Sequence, residues 1–358
     1  RCWCQLVRCT LMHFKKDQIN KILCIKPRGI GDIVLSTIIL ENLHDYFPGI
    51  QIDYLTEHFA VQALSNNPLV NNVISMKKKE FPLFVANRIR KEKYDMILDL
   101  WSNPRSAQIT FLSGVRYKIG YNYRGRRYAY NIKVNPESNN QHAAEDNLRF
   151  LNAINVPVNS KVIHYYVSKE DDEWAKDYLK NSFVESTKII GIIPSGGWPS
   201  KRCDASKWID FGKKIKDAIH IKFIILWGPG DEQDANTINE NLSPVSVLAP
   251  KTDVKRLSAL INNCNLVIAN DSGPMHIAAA LDIPTLGIFG PTNPVAHRPY
   301  SKNSDYIIKE NLHCIICNKL VCPFNHECMR DLSEDEFLLK VEKLLQLDNP
   351  KKVNAEKN

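Results

Sequence analysis

The sequence predicts an α/β protein of two Rossmann-like domains, each a parallel sheet wrapped by helices, with a cleft between them. Three observations point there. Short apolar runs alternate with helical segments almost without a break, the βαβ pattern that builds parallel sheets. The alternation runs twice, on either side of a polar, Pro-containing stretch at residues 155–160 that makes the best linker. And 358 residues with 44% hydrophobic and 24% charged content can bury two cores of ordinary size.

In the first half, residues 21–26 read as a strand, 32–46 as a helix, 51–56 as a strand, 82–93 as a helix and 96–100 as a strand. The pattern weakens over 117–140, rich in Tyr, Arg and Asn, and recovers in a helix at about 142–154. Beyond the linker, Ser168-Lys169-Glu170-Asp171 reads as a helix cap, the acid three places on reaching back to the cap N–H. Residues 188–193, 221–227, 266–269 and 285–288 are apolar runs of central-strand type, separated by helices such as 205–215 and 253–262. After Ser333-Glu334-Asp335-Glu336 comes a final helix with apolar Phe337, Leu338, Val341, Leu344 and Leu345, expected to pack on the domains. The division is an N-terminal extension at 1–19, a first domain at 20–165, a second at 166–348, and a Lys/Asn-rich tail at 349–358 expected to be disordered.

Composition narrows the partners. No apolar run approaches the roughly 20 residues of a membrane span, and the longest, 33–40, is interrupted by Ser36 and Thr37. The net charge of +8 is spread, and its one tight run, Lys77-Lys78-Lys79, has no interleaved aromatics, which argues against nucleic acid and for a solvated loop. An anionic substrate or a peripheral membrane contact fits the charge. Residues 1–14 hold Cys2, Cys4 and Cys9, lack the length and apolar middle of a secretory signal, and offer Met12 as a start. Reduced cysteines and a cytoplasmic location are therefore expected.

Ligands of open parallel sheets bind beyond the carboxyl ends of the strands, so the loops after Lys26, Ile193, Trp227 and Ala269 should face the cleft. The first carries Gly29-Ile30-Gly31-Asp32. Asp32 there reads as a helix cap, which local sequence favours, or as a general base for a substrate hydroxyl. A dinucleotide fingerprint, with Glu57 as its ribose acid, is disfavoured because Val34 replaces its third glycine. The second loop, Pro194-Ser195-Gly196-Gly197-Trp198-Pro199-Ser200-Lys201-Arg202, joins hydroxyl and backbone donors to two cations, as a phosphate site requires. The third, Trp227-Gly228-Pro229-Gly230-Asp231-Glu232, offers two acids for a helix cap or a ribose. The fourth, Asp271-Ser272-Gly273-Pro274-Met275-His276, opens a small-residue helix whose free N–H groups suit an anion, with His276 on the first turn.

These four segments, in this order, resemble the ADP-heptose:lipopolysaccharide heptosyltransferases of glycosyltransferase family 9, over about residues 21–345. The resemblance implies a GT-B architecture, an acceptor held by the first domain, a nucleotide sugar held by the second, and inverting transfer without a required metal. Asp32 matches the family's general base and Lys201 its phosphate-contacting cation. Asp271, Ser272, Gly273 and His276 match its donor-sugar and diphosphate site, and Asp231 or Glu232 its nucleotide contact. Ser195 stands where many members carry another small or hydroxyl residue. Gly29, Gly31, Arg105 and Arg124 are acceptor-side candidates, and with Arg116, Arg126 and Arg127 the arginines suit an acidic, phosphorylated acceptor such as lipid A with its inner-core sugars. The expected function is transfer of heptose from ADP-heptose to that lipid-linked acceptor. A nucleotide-sugar epimerase or hydrolase of the same architecture, and a non-catalytic nucleotide-sugar binding protein, are the alternatives.

Cys314-x2-Cys317-x4-Cys322-x5-Cys328 sets four thiols close enough for tetrahedral zinc, though the second pair lacks the tight spacing of most zinc ribbons. Some members of the family carry similar cysteines. Zinc, disulfides and free thiols stay open, with a structural staple preferred to catalysis.

Overall fold

Strand β1 (Lys21–Ile25) is apolar enough to be covered on both faces, and the chain builds a sheet outward from it in both directions. Its neighbours are β2 (Gln51–Glu57), β3 (Asn72–Met76), β4 (Met96–Asp99), β5 (Tyr117–Tyr121) and β6 (Ile132–Val134). All pair in parallel, in the order β3-β2-β1-β4-β5-β6. The second half repeats the plan with β7 (Lys188–Ile193), β8 (Ile221–Ile225), β9 (Ser246–Leu248), β10 (Leu266–Asn270), β11 (Thr285–Phe289) and β12 (Ser304–Ile308). Its order, β9-β8-β7-β10-β11-β12, is the same, again all parallel. This computed structural model describes residues 15–136, 141–183 and 187–346, so Cys2, Cys4, Cys9, Met12 and the tail at 349–358 lie outside the described residues.

Helices α1 (Ile30–Ser36), α2 (Leu40–Tyr46), α3 (Pro82–Lys91), α4 (Pro104–Leu112) and α5 (Ala143–Ala153) pack on the first sheet. The second carries α6 (Lys169–Ser182), α7 (Ala205–Ala218), α8 (Glu232–Leu242), α9 (Val254–Asn262), α10 (Gly273–Ala280), α11 (Pro294–His297), α12 (Glu327–Arg330) and α13 (Glu334–Gln346). Helix α13 buries Phe337, Val341, Leu344 and Leu345, and Phe337 stacks on Phe211 of α7 with ring centroids 3.7 Å apart. No helix among the described residues is long and apolar enough to cross a membrane.

The departures from the sequence reading have physical causes. The helix expected over 32–46 is broken by a 3-10 turn at Thr37–Ile39, because the hydroxyls of Ser36 and Thr37 donate back to the carbonyls of Ile33 and Val34 (2.7 and 2.6 Å). Ser168 does cap α6 by accepting from the Asp171 N–H, but the Asp171 carboxylate accepts from the Ser168 hydroxyl rather than from the cap N–H. Ile19 is buried in the first core, so the packed chain starts inside the expected extension.

In each sheet the strand order reverses beside the first strand, between β1 and β4 and between β7 and β10. A crevice opens at such a point because the connections leave in opposite directions. The loops after β1, β4, β7 and β10 all end there.

Candidate functional site

At the second crevice the side chain of Asn270, the last residue of β10, donates to the Pro194 carbonyl (2.7 Å) and so stitches the two loops together. Asp271 follows, buried, and pairs with the Lys201 ammonium at 2.6 Å while accepting from the Thr292 hydroxyl at 2.7 Å. Burial alone would raise the Asp271 carboxyl, but Lys201 beside it outweighs burial and holds it below the usual carboxylate range. The Lys201 ammonium also lies over the Trp198 ring, 4.3 Å from its centroid. His276 is buried on the first turn of α10, and that burial pushes its imidazole down to about 3 despite the pull of Asp271, so the ring is neutral at neutral pH.

Three buried polar atoms in this cluster have no hydrogen-bond partner among the described residues: Ser272 Oγ, His276 Nδ1 and Trp198 Nε1. A buried polar atom without a partner costs about 1–3 kcal/mol, so three around one ion pair mark a place where a polar ligand completes the bonding. Ser272 is the N-cap of α10 and makes no side-chain cap bond, and Pro274 follows in the first turn, so the remaining N–H groups of that turn face the same space.

Beside this cluster, Asp231 pairs with Arg202 at 2.8 Å and accepts from the Ser195 hydroxyl at 2.6 Å. Glu232 is exposed on the first turn of α8 and takes no part in this group. The two acids are thus separated by geometry. The Trp227 indole is spent on the Ala249 carbonyl, 2.7 Å away.

At the first crevice, Gly29 is the N-cap of α1, and Asp32 is the third residue of the helix. Among the described residues no hydrogen bond or ion pair engages the Asp32 carboxylate, so the cap reading that local sequence favours does not hold. Gly29 has φ +79, and a side chain on it would overlap the Asp32 carboxylate. Gly31 is needed for a different reason: a Cβ there would stand 2.6 Å from His276 Cδ2 and 3.3 Å from Gly273 Cα. A Cβ on Gly273 would stand 3.1 Å from Ile30 Cβ. The starts of α1 and α10 therefore abut, and the Asp32 carboxylate and the unpartnered atoms of Ser272 and His276 sit within one turn of that contact.

The remaining candidates divide. Glu57 pairs with Arg28 at 2.8 Å and lies 3.6 Å from Arg105, around a cavity of about 240 Å³. Arg105 is fixed by donating to the carbonyls of Lys77, Lys78 and Glu80. Arg124 and Arg127 are exposed in the connection after β5, and Arg126 lies over the Tyr123 ring. Arg116 precedes β5 and so stands at the opposite end of the sheet from the crevice.

Sequence reasoning passed over Lys26. It is buried one residue beyond β1, donates to the Leu100 carbonyl at 3.3 Å and lies over the Trp101 ring, with no carboxylate among the described residues paired to it directly. Burial pulls its ammonium below the ordinary value, while Asp32, Asp99 and Asp146 pull it back up. Of these, Asp99 is held by the Tyr130 hydroxyl and backbone N–H groups, and Asp146 by Arg149. A polar residue ending an otherwise apolar central strand was the available signal.

The four cysteines of 314–328 are free thiols, and among the described residues no group of three or more His, Cys, Asp or Glu side chains is arranged to hold a metal ion. Burial, reinforced by the other three cysteines, pushes the Cys328 thiol up to about 12. The segment meets the site through two backbone carbonyls and one side chain. The Lys319 carbonyl accepts from the Ser200 hydroxyl, the Leu320 carbonyl from the Ser200 N–H (3.2 Å), and the His326 ring meets the Ser200 carbonyl at 2.8 Å. It clasps the Pro199–Lys201 turn that presents Lys201.

The chain is similar to known proteins. A family model described as glycosyltransferase family 9 (heptosyltransferase) matches residues 83–327. Lipopolysaccharide heptosyltransferase 3 of Escherichia coli is 29% identical over 295 residues, 76% of this chain and 84% of that protein. A glycosyl transferase family 9 structure from Veillonella parvula superposes with a TM-score of 0.79 at 23% identity, covering 91% of this chain and 97% of that one. The structure of E. coli ADP-heptose lps heptosyltransferase II gives 0.75 at 22% identity, covering 91% and 98%. At these identities the two superpositions speak to the fold, which is the two-domain GT-B architecture.

Proposed function

Since this chain belongs to glycosyltransferase family 9, the heptosyltransferases, we propose that it transfers heptose from ADP-heptose to the lipid A-linked inner core of a lipopolysaccharide, with inversion at the anomeric carbon. The observation that carries this reading is the set of unpartnered buried atoms around the Lys201–Asp271 pair, faced across the α1–α10 contact by the Asp32 carboxylate, which no hydrogen bond or ion pair among the described residues engages. The names of the relatives support the choice of donor and acceptor class: one is a lipopolysaccharide heptosyltransferase, another an ADP-heptose lps heptosyltransferase.

In this reading the donor diphosphate lies at the start of α10. The Ser272 hydroxyl, the Gly273 N–H and the Lys201 ammonium face its oxygens, and the neutral His276 ring adds a hydrogen bond. Asp231, held by Ser195 and Arg202, lines the nucleotide end. Asp32 takes the proton from an acceptor hydroxyl as that oxygen forms its bond to the anomeric carbon. The bond from that carbon to the diphosphate breaks on the opposite face, its electron pair stays on the phosphate oxygen, and ADP leaves. Donors fixed in advance around such developing charge are worth about 3 kcal/mol each. Arg28, Lys78 and Arg105, around the first-domain cavity, are suited to an anionic group of the acceptor.

The Asp32→Asn variant tests this. Turnover is expected to fall by about 10²–10⁴-fold, the usual contribution of a positioned base, while ADP affinity stays at the wild-type level. Undiminished turnover removes Asp32 as base, and a parallel loss of ADP binding makes its role structural.

A further inference from the structure

Three exposed phenylalanines follow the carboxyl ends of the adjacent strands β2 and β3. Phe81 and Phe84, at the start of α3, are 63% and 64% exposed, with their rings packed edge to face. Leu83 between them is exposed as well. Phe59, 53% exposed, stands on the neighbouring 3-10 turn His58–Ala63, which His58 ties to Ser75 of β3 at 3.2 Å. The run Lys77-Lys78-Lys79, fully on the surface, leads directly into Phe81.

Two facts argue that this patch is more than scattered surface. Phe81 is the N-cap of α3 and makes no cap bond, at a position where Ser, Thr, Asp or Asn would satisfy a free helix N–H and add about 1 kcal/mol. A chain that forgoes a cap for an exposed phenyl ring breaks a local rule, as functional sites do. The turn is also rigid: Arg105 donates to three of its carbonyls, and Glu80 accepts from the Lys77 N–H and from Arg88. The same Arg105 lines the first-domain cavity, so patch and cavity are built on one scaffold.

We propose that Phe81, Phe84 and Phe59, with Lys77 and Lys79, form a docking surface for an anionic lipid bilayer, which holds the cavity beside the membrane-anchored end of the acceptor. Aromatic rings flanked by ammonium groups match the two layers of such a surface: the rings enter the headgroup boundary and the lysines meet its negative charge. The choice of a membrane over a protein partner rests on that charge pairing, on a chain with net charge +8, and on the proposed lipid-linked acceptor.

The test is co-sedimentation of the full chain with vesicles of phosphatidylglycerol and phosphatidylethanolamine, against purely zwitterionic vesicles, beside ADP titration of the same samples. Binding to the anionic vesicles is expected, weakening with added salt. Lys77→Ser with Lys79→Ser should weaken it by about 25-fold, at about fivefold per cation. Phe81→Ser with Phe84→Ser should reduce it to background and leave ADP affinity unchanged. Because the first of these substitutions puts a hydroxyl at the N-cap of α3, melting temperature should stay equal or rise. Transfer to a delipidated acceptor should survive in both variants, and transfer to the vesicle-embedded acceptor should fall. Equal binding of wild type and the Phe81/Phe84 variant overturns the proposal, as does concentration-dependent self-association that these substitutions abolish without any vesicle binding. Because vesicle binding is read without turnover, its failure is distinguishable from failure of the heptosyl-transfer reading.

Discussion

His276 ties stability to pH through its burial. Its imidazole is held near 3 in the fold against 6.5 for the free side chain, so between those values the unfolded chain binds a proton that the folded chain refuses. Stability must therefore fall as pH drops below about 6.5, by up to about 1.4 kcal/mol per pH unit from this residue alone. Asp271 acts in the same direction but only at the acid end: Lys201 overrides the upward push of burial and depresses its carboxyl, so its contribution is present above the unfolded carboxyl value of 3.8 and is lost as the pH falls from there through the depressed folded value. His276→Gln is expected to flatten the decline of melting temperature between about pH 6.5 and 4.5, and equal slopes in the two proteins would contradict it. At this scale the sequence was informative where chemistry is dense. Asp271, Ser272 and His276 announce themselves at a helix start, whereas Lys26 and Thr292 matter only because folding buries one and brings the other to Asp271. Asp231 and Glu232 are neighbours in sequence and part only when α8 turns one inward.

The first turn of α1 decides how Asp32 is presented. Gly29, at φ +79 and ψ +106, occupies backbone space open to glycine alone, and any side chain there meets the Asp32 carboxylate. Gly29→Ala should lower stability by about 1–3 kcal/mol and remove most turnover. Gly230→Ala is the comparison: its φ of +90 is equally strained, yet a side chain there meets nothing within 4 Å, so it should cost stability and spare Asp32. Calorimetry and transfer assays on both variants separate the two effects, and a fully active Gly29→Ala protein would contradict the account. The central strands β1, β4, β7 and β10 were legible because strands covered on both faces are continuously apolar. The outer strands β3, β6, β9 and β12 were not. They are three to five residues long and mostly half-buried, which leaves neither a long run nor a clean alternation to read. The helix over 32–46 was read as continuous because its apolar face runs on through Ile38 and Ile39 while hydroxyl bonds break the backbone beneath.

The whole molecule is two sheets of one strand order, joined where Ile30 and Gly31 of α1 meet Gly273 and His276 of α10. Flanking bonds hold that apposition: Gln62 donates to Asp253 at 3.0 Å on one side, and the Tyr300 hydroxyl donates to Glu145 at 3.0 Å on the other. In the proposed reaction neither half holds a complete site: the second domain offers the turn at the start of α10 for the diphosphate and the first offers the Asp32 carboxylate, so that reaction needs both domains on one bound sugar. The most direct measurement is mass spectrometry of an inner-core acceptor incubated with the purified chain and ADP-heptose. The account predicts that the acceptor gains one heptose for each ADP released, and that both products form about 10²–10⁴-fold more slowly with Asp32→Asn. ADP-heptose hydrolysed or epimerised with the acceptor unchanged would contradict it.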